Sequence, residues 1–129
     1  MIDAAAAVAY LVDIPPGCFT KVHQRIRAEP VLHAPHLLDV EVAHTLRHLV
    51  LQRVLPPADA QAALVELMDL PLTRYAHYPL LSRVWQLRHN LTAYDAMYVA
   101  LAEALDVPLL TLDAALRDAP GHQANVEVL

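Results

Sequence analysis

The hydrophobic positions of this chain change period several times, and the changes mark its elements. Ala4–Val12 is an alanine-rich apolar stretch of helical length, and the run Pro15–Pro16–Gly17 breaks it. Cys18–Ala28 reads as a polar helix carrying Lys21, Arg25 and Arg27. Over Leu37–Leu51, at about 100° per residue, Leu38, Val42, Leu46, Leu49 and Val50 share one side. Glu41, His44 and His48 fall on the other. Ala58–Leu70 predicts a further helix, with Pro57 at its first turn. Leu80–Arg88 predicts another, followed by a loop over His89–Leu91. Thr92–Leu105 opens with Thr-x-x-Asp, a capping-box variant, and Glu103 is its only later charge. A helix apolar all round has to be buried.

Between these stretches lie short apolar runs of strand length. Met1–Ile2 is the end of a strand, stubby beside the usual five or so residues. Val31–Ala34 is closed by Pro35, and Leu72–Tyr75 follows Pro71. Pro108–Leu112 is continuously apolar and ends at Asp113, the pattern of a central parallel strand. A short helix over Ala114–Arg117 and an edge strand over Val126–Leu129 complete the series. Helices alternating with short strands predict an α/β fold, with a mostly parallel sheet, right-handed crossovers and flanking helices. At 129 residues the chain, 1–129, makes one domain with a real core.

Composition narrows this picture. The chain is 57% hydrophobic but only 5% aromatic, so small and aliphatic side chains fill the core, which suits close helix–sheet packing. No apolar run approaches the roughly 18–20 residues of a membrane span. Met1–Val12 lacks a basic leader and carries Asp3, which makes it a poor signal peptide. Cys18 is the only cysteine, so an internal disulfide is excluded and a reducing cytoplasm fits. A net charge of −5 argues against nucleic-acid binding driven by overall charge.

Four acids stand where apolar patterns end or helices begin: Asp3, Glu41, Asp95 and Asp113. Each has an ordinary reading as a helix cap or a solvated helix face. Together they fit an open α/β sheet, which binds ligands just beyond its strand C-termini. Grouped carboxylates repel one another and raise their own pKa values, and a divalent cation removes that penalty. Acids without lysine or cysteine beside them suit a hard ion such as Mg²⁺. The chemistry this points to is metal-dependent phosphodiester hydrolysis.

Competing sites have less support. Glu41-x-x-His44 with His48 resembles a helical transition-metal motif, but a di-iron bundle needs a second copy, and zinc usually takes three or four closely spaced ligands. A phosphoacceptor receiver needs a lysine after a late strand, and Lys21 is the only lysine. A haloacid-dehalogenase-type phosphatase needs a second Asp at the position of Ala5. Gly17 and Gly121 are the only glycines, too few for a Gly-rich phosphate loop.

The motifs as a set resemble the PIN-domain ribonucleases, specifically the VapC toxins of prokaryotic toxin–antitoxin pairs. The strongest segment is Leu91–Asp113, LTAYDAMYVALAEALDVPLLTLD, supported by Ile2–Leu11, IDAAAAVAYL, and Leu37–Arg47, LLDVEVAHTLR. The resemblance implies a PIN-like three-layer fold and a Mg²⁺- or Mn²⁺-dependent endoribonuclease. Asp3, Asp95 and Asp113 would hold the metal directly or through water, with Glu41 as ligand or water-orienting base. Thr92, Thr111 and His44 would support the acids; Arg47 and Arg88 lie near the acids in sequence, a placement that suits holding RNA phosphates and equally suits structural salt bridges. It further implies a homodimer, transfer or ribosomal RNA loops as substrate, and an antitoxin whose C-terminal part fills the active-site groove. Two positions depart from the family pattern: Ala5 where Ser or Thr is common, and His44 where Asn is common. The alternative is a non-catalytic PIN-fold module kept for dimerisation or for titrating an antitoxin.

Overall fold

The computed structural model describes every residue except Pro15 and Pro30. Helix α1 spans Ala4–Val12, and its four buried residues, Ala6 to Ala9, are small enough to let neighbouring backbone approach closely. It closes on Asp13, whose φ of 50° is left-handed, so the chain turns before the prolines; the Pro15 part of the expected break lies outside the described residues. Helix α2 covers Phe19–Arg27, one residue inside the predicted range at each end. Strand β1 is Leu32–Pro35, so Pro35 belongs to the strand instead of ending it. Parallel pairing draws its bonds from alternate residues, and here the bond to the Tyr75 carbonyl comes from His36 N–H at 2.9 Å.

Helix α3, Leu37–Leu51, buries Leu38, Val42 and Leu46, the stripe expected from its period. Helix α4 runs Pro57–Asp69 and strand β2 Leu72–Tyr75. The predicted Leu80–Arg88 helix is instead a 3₁₀ turn, Tyr78–Leu80, leading into a short α5, Leu81–Gln86. Pro79 offers no N–H in that turn, and Leu87 N–H is shared between the Arg83 and Val84 carbonyls, which tightens and ends the helix. Helix α6 spans Ala93–Leu105 with Thr92 as its N-cap, and it is buried without interruption from Ala96 to Ala102. Strand β3, Leu109–Thr111, is wholly buried; α7 spans Ala114–Asp118 and β4 Val126–Val128.

All strand pairings are parallel: β1 with β2, β3 with β4, and Ile2 with Leu110. Ile2 also donates its N–H to the His33 carbonyl at 3.2 Å. The first residues therefore lie between the two strand pairs, and the order across the sheet is β2, β1, Met1–Asp3, β3, β4. Helices α1 to α4 pack on one another, and α1 and α3 touch β3 and β1. Helices α5 and α6 form a second group, with α6 lying on β1 and β3. Three arginines tie these parts together through ion pairs, Arg74 with Asp39, Arg83 with Glu103 and Arg25 with Glu127, and Arg25 also pairs locally with Glu29.

Candidate active site

Four separate segments bring their acids to one place. Asp3 follows Ile2, Asp113 stands two residues past β3, Glu41 lies one turn into α3, and Asp95 is in the first turn of α6. All four line one cavity of about 150 Å³ together with Ala4, Ala5, Tyr98 and Leu116. None of the lining residues is Lys or Arg.

Each carboxylate is held by its own surroundings. Asp3 is 6% exposed; one oxygen accepts from Ala6 N–H at 2.8 Å and the other from the Thr111 hydroxyl. Thr111, fully buried, in turn accepts from Asp113 N–H at 2.9 Å, so one hydroxyl links two of the acids. Asp113 caps α7 through Ala115 N–H at 2.8 Å. Thr92 Oγ1 donates to Asp95 at 2.7 Å and accepts Asp95 N–H at 3.1 Å; the expected capping box is thus closed through the hydroxyl, not through the Thr92 N–H. The Tyr98 hydroxyl donates to Glu41 Oε2 at 2.5 Å.

Burial pushes the Asp3 carboxyl up to about 6, with further upward pressure from the Glu41 and Asp113 charges, against the downward pull of its Ala6 and Thr111 hydrogen bonds. Burial and the Glu41 carboxylate together push the Tyr98 phenol up, so it serves as a neutral donor. An oxygen-only, acidic donor set without a basic neighbour has the chemistry a hard divalent cation takes. Among the described residues, no three His, Cys, Asp or Glu side chains are drawn around a single point. The carboxylates line the cavity while hydrogen-bonded to Thr, Tyr and backbone groups.

A larger groove of about 900 Å³ adjoins the cavity and shares Ala4, Ala5, Glu41 and Asp113 with it. His44 and Tyr94 line this groove, His44 without reaching the acid cavity. Arg47 does not line either space: six residues beyond Glu41, it has turned about 240° around α3 and lines a separate hollow with α4. Arg88 lies over the Trp85 ring, 5.0 Å from its centroid, and also stays outside both. Nearness in sequence to an acid thus put neither arginine beside the site.

A family model for the PIN domain matches residues 1–121. Ribonuclease VapC1 of Mycobacterium tuberculosis is 47% identical over 130 residues, which cover this whole chain and 96% of that protein. The chain belongs to the PIN-domain VapC ribonucleases. The VapC ribonuclease Mb0985 of Mycobacterium bovis is 43% identical, over the whole chain and 97% of its own length. Two solved structures share the fold. VapC20 of Mycobacterium tuberculosis, a sarcin-ricin loop cleaving toxin, has a TM-score of 0.69 at 15% identity, covering 95% of each chain. PAE2754 of Pyrobaculum aerophilum has a TM-score of 0.67 at 24% identity, covering 95% of this chain and 85% of its own.

Within this VapC chain the sequence reading missed Tyr98. Its signal was there: a hydroxyl-tipped side chain one helical turn beyond Asp95, inside a run otherwise apolar up to Glu103. Spacing of i, i+3 sets both on one face of α6, towards the cavity.

Proposed function

We propose that this VapC protein is a metal-dependent endoribonuclease that hydrolyses RNA phosphodiester bonds, with Mg²⁺ or Mn²⁺ held by Asp3, Asp95 and Asp113. Asp3 is the observation that carries the reading. A carboxylate this buried, facing two more acids and no cation, is costly as it stands, and a divalent ion is the partner that offsets the cost. The identity to proteins named ribonucleases supports RNA as the substrate. When bound, the ion supplies a water of lowered pKa and neutralises charge on the phosphoryl oxygens.

The chain's own residues set up the rest. Thr111 fixes the Asp3 carboxylate and the Asp113 backbone, and Thr92 fixes Asp95. Tyr98 holds one oxygen of Glu41 and leaves the other to orient or deprotonate a water. The adjoining groove, lined without Lys or Arg, suits unpaired bases or the apolar side chains of an antitoxin segment better than a bare phosphate backbone. We place the protein in the cytoplasm, with structured RNA loops as targets and a cognate antitoxin as its inhibitor. The exposed residues Tyr78, Leu81 and Trp85, spaced along one stripe, would be covered in a homodimer.

The test is cleavage of total cellular RNA by purified, antitoxin-free protein with Mg²⁺, Mn²⁺ or chelator. Asp95→Asn should lower cleavage by on the order of 10²-fold or more, extending the cost of losing one transition-state electrostatic partner to a metal ligand. Equal cleavage by parent and variant, or cleavage indifferent to chelator, would falsify the metal-dependent nuclease. No cleavage by the parent with either ion on any RNA would favour the non-catalytic binding module.

A further inference from the structure

The acid cavity leaves one sequence feature unused, the histidines on the polar side of α3. His44 and His48 are four residues apart, both exposed, and their rings stand 4.5 Å apart between centroids at 66°. Glu41, the third member of that sequence pattern, turns instead to Tyr98. From this juxtaposition we propose that His44 and His48 form a second cation site, specific for late first-row divalent ions such as Zn²⁺, Ni²⁺ or Cu²⁺, at the edge of the groove. The proposal goes beyond the nuclease reading and does not depend on it.

Helix geometry supplies the chelate. Side chains at i and i+4 stand about 5–6 Å apart at Cβ, on one face. Two imidazoles sharing one ion need donor nitrogens roughly 3.3 Å apart, from metal–nitrogen bonds of about 2.0–2.1 Å in a tetrahedral arrangement. Rings already side by side reach that spacing by side-chain rotation alone, without moving the backbone. Exposure leaves the remaining coordination positions to water, so the site is an open one, weaker than a closed structural zinc site. Imidazole also sets the selectivity. Zinc, copper and nickel favour it, whereas Mg²⁺ and Mn²⁺ prefer oxygen donors, so the histidine pair takes the former and discriminates against the latter. His44 lines the groove beside Glu41, so an ion held here sits at the mouth of the space next to the acids.

The experiment is calorimetric titration of Zn²⁺ and Ni²⁺ into untagged, chelator-stripped protein at pH 7.5, comparing parent, His48→Ala and Asp95→Asn. His48 is exposed on a helix and alanine is the better helix former, so that variant folds, which circular dichroism checks. Beyond any ion that the acid cavity takes up, the parent and Asp95→Asn should each bind one ion per chain with micromolar affinity. His48→Ala should bind it at least about 10-fold more weakly, by the scale of losses at metal sites. Binding unchanged in His48→Ala, binding lost in Asp95→Asn but kept in His48→Ala, or no uptake by the parent at millimolar ion would each overturn the site.

Discussion

Replacing Asp3 with asparagine separates the electrostatic cost of the site from its structural role. The Asp3 carboxyl titrates near 6 in the fold against an ordinary value of 3.8. A folded value above the unfolded one means that the folded state binds the proton more tightly. The stability this gives is fully present below about pH 4 and is lost as the pH rises through about 6, reaching about 3 kcal/mol. Asp3→Asn removes that titration. Asparagine caps a helix as well as aspartate, so the bond from Ala6 N–H survives. The Thr111 hydroxyl loses its carboxylate acceptor, at a cost of about 1 kcal/mol that does not vary with pH. In chelator, the variant's advantage over the parent should therefore grow by about 3 kcal/mol between pH 4 and pH 7.5, leaving it about 2 kcal/mol more stable at the higher pH. Urea denaturation at several pH values, read as the difference between the two proteins, measures this directly. Saturating Mn²⁺ should stabilise the parent more than the variant and erase the gain. Stability curves that stay parallel across that pH range, or a variant less stable than the parent at pH 7.5 in chelator, would refute the reasoning.

Other changes probe the remaining contacts. Tyr98→Phe removes the bond to Glu41 but keeps the ring in the core, so it should cost about 1 kcal/mol of stability. RNA cleavage by Tyr98→Phe should fall more than unfolding predicts; unchanged turnover would reduce Tyr98 to a packing residue. His44 lines the groove beside Glu41, so His44→Asn should change the rate of cleavage without abolishing it, and turnover identical to the parent would remove His44 from the reaction. Arg83→Ala breaks a two-pronged pair with Glu103 and a bond to the Gly121 carbonyl, and should lower stability by about 1 kcal/mol with cleavage per folded molecule unaffected.

Much of the fold was legible because its signals are local. The α3 stripe of Leu38, Val42 and Leu46, the uniformly apolar α6 and the apolar β3 ending near Asp113 follow from periodicity alone. Boundaries failed where a backbone bond decides: Pro35 remains in β1 because the neighbouring N–H makes the ladder bond, and α5 is short because its last turn tightens. The four acids could be named because three sit at a strand end or a helix start and Glu41 stands on the polar side of α3. Their hydrogen bonds could not, since Tyr98 to Glu41 and Thr111 to Asp3 join residues far apart in the chain. Arg47 and Arg88 show the limit from the other side. Charge near an acid in sequence says little about direction, and several of the arginines serve inter-element ion pairs instead.

The divalent cation proposed for Asp3, Asp95 and Asp113 can be located in a crystal. Anomalous diffraction from crystals of the parent soaked in Mn²⁺ tests the site most directly, because it reports where the ion sits independently of activity. The proposed site requires a manganese peak inside the cavity lined by Asp3, Glu41, Asp95, Tyr98 and Asp113, bonded to carboxylate oxygens of at least two of the three aspartates. An empty cavity at saturating Mn²⁺, in crystals of a protein that still cleaves RNA, would contradict it.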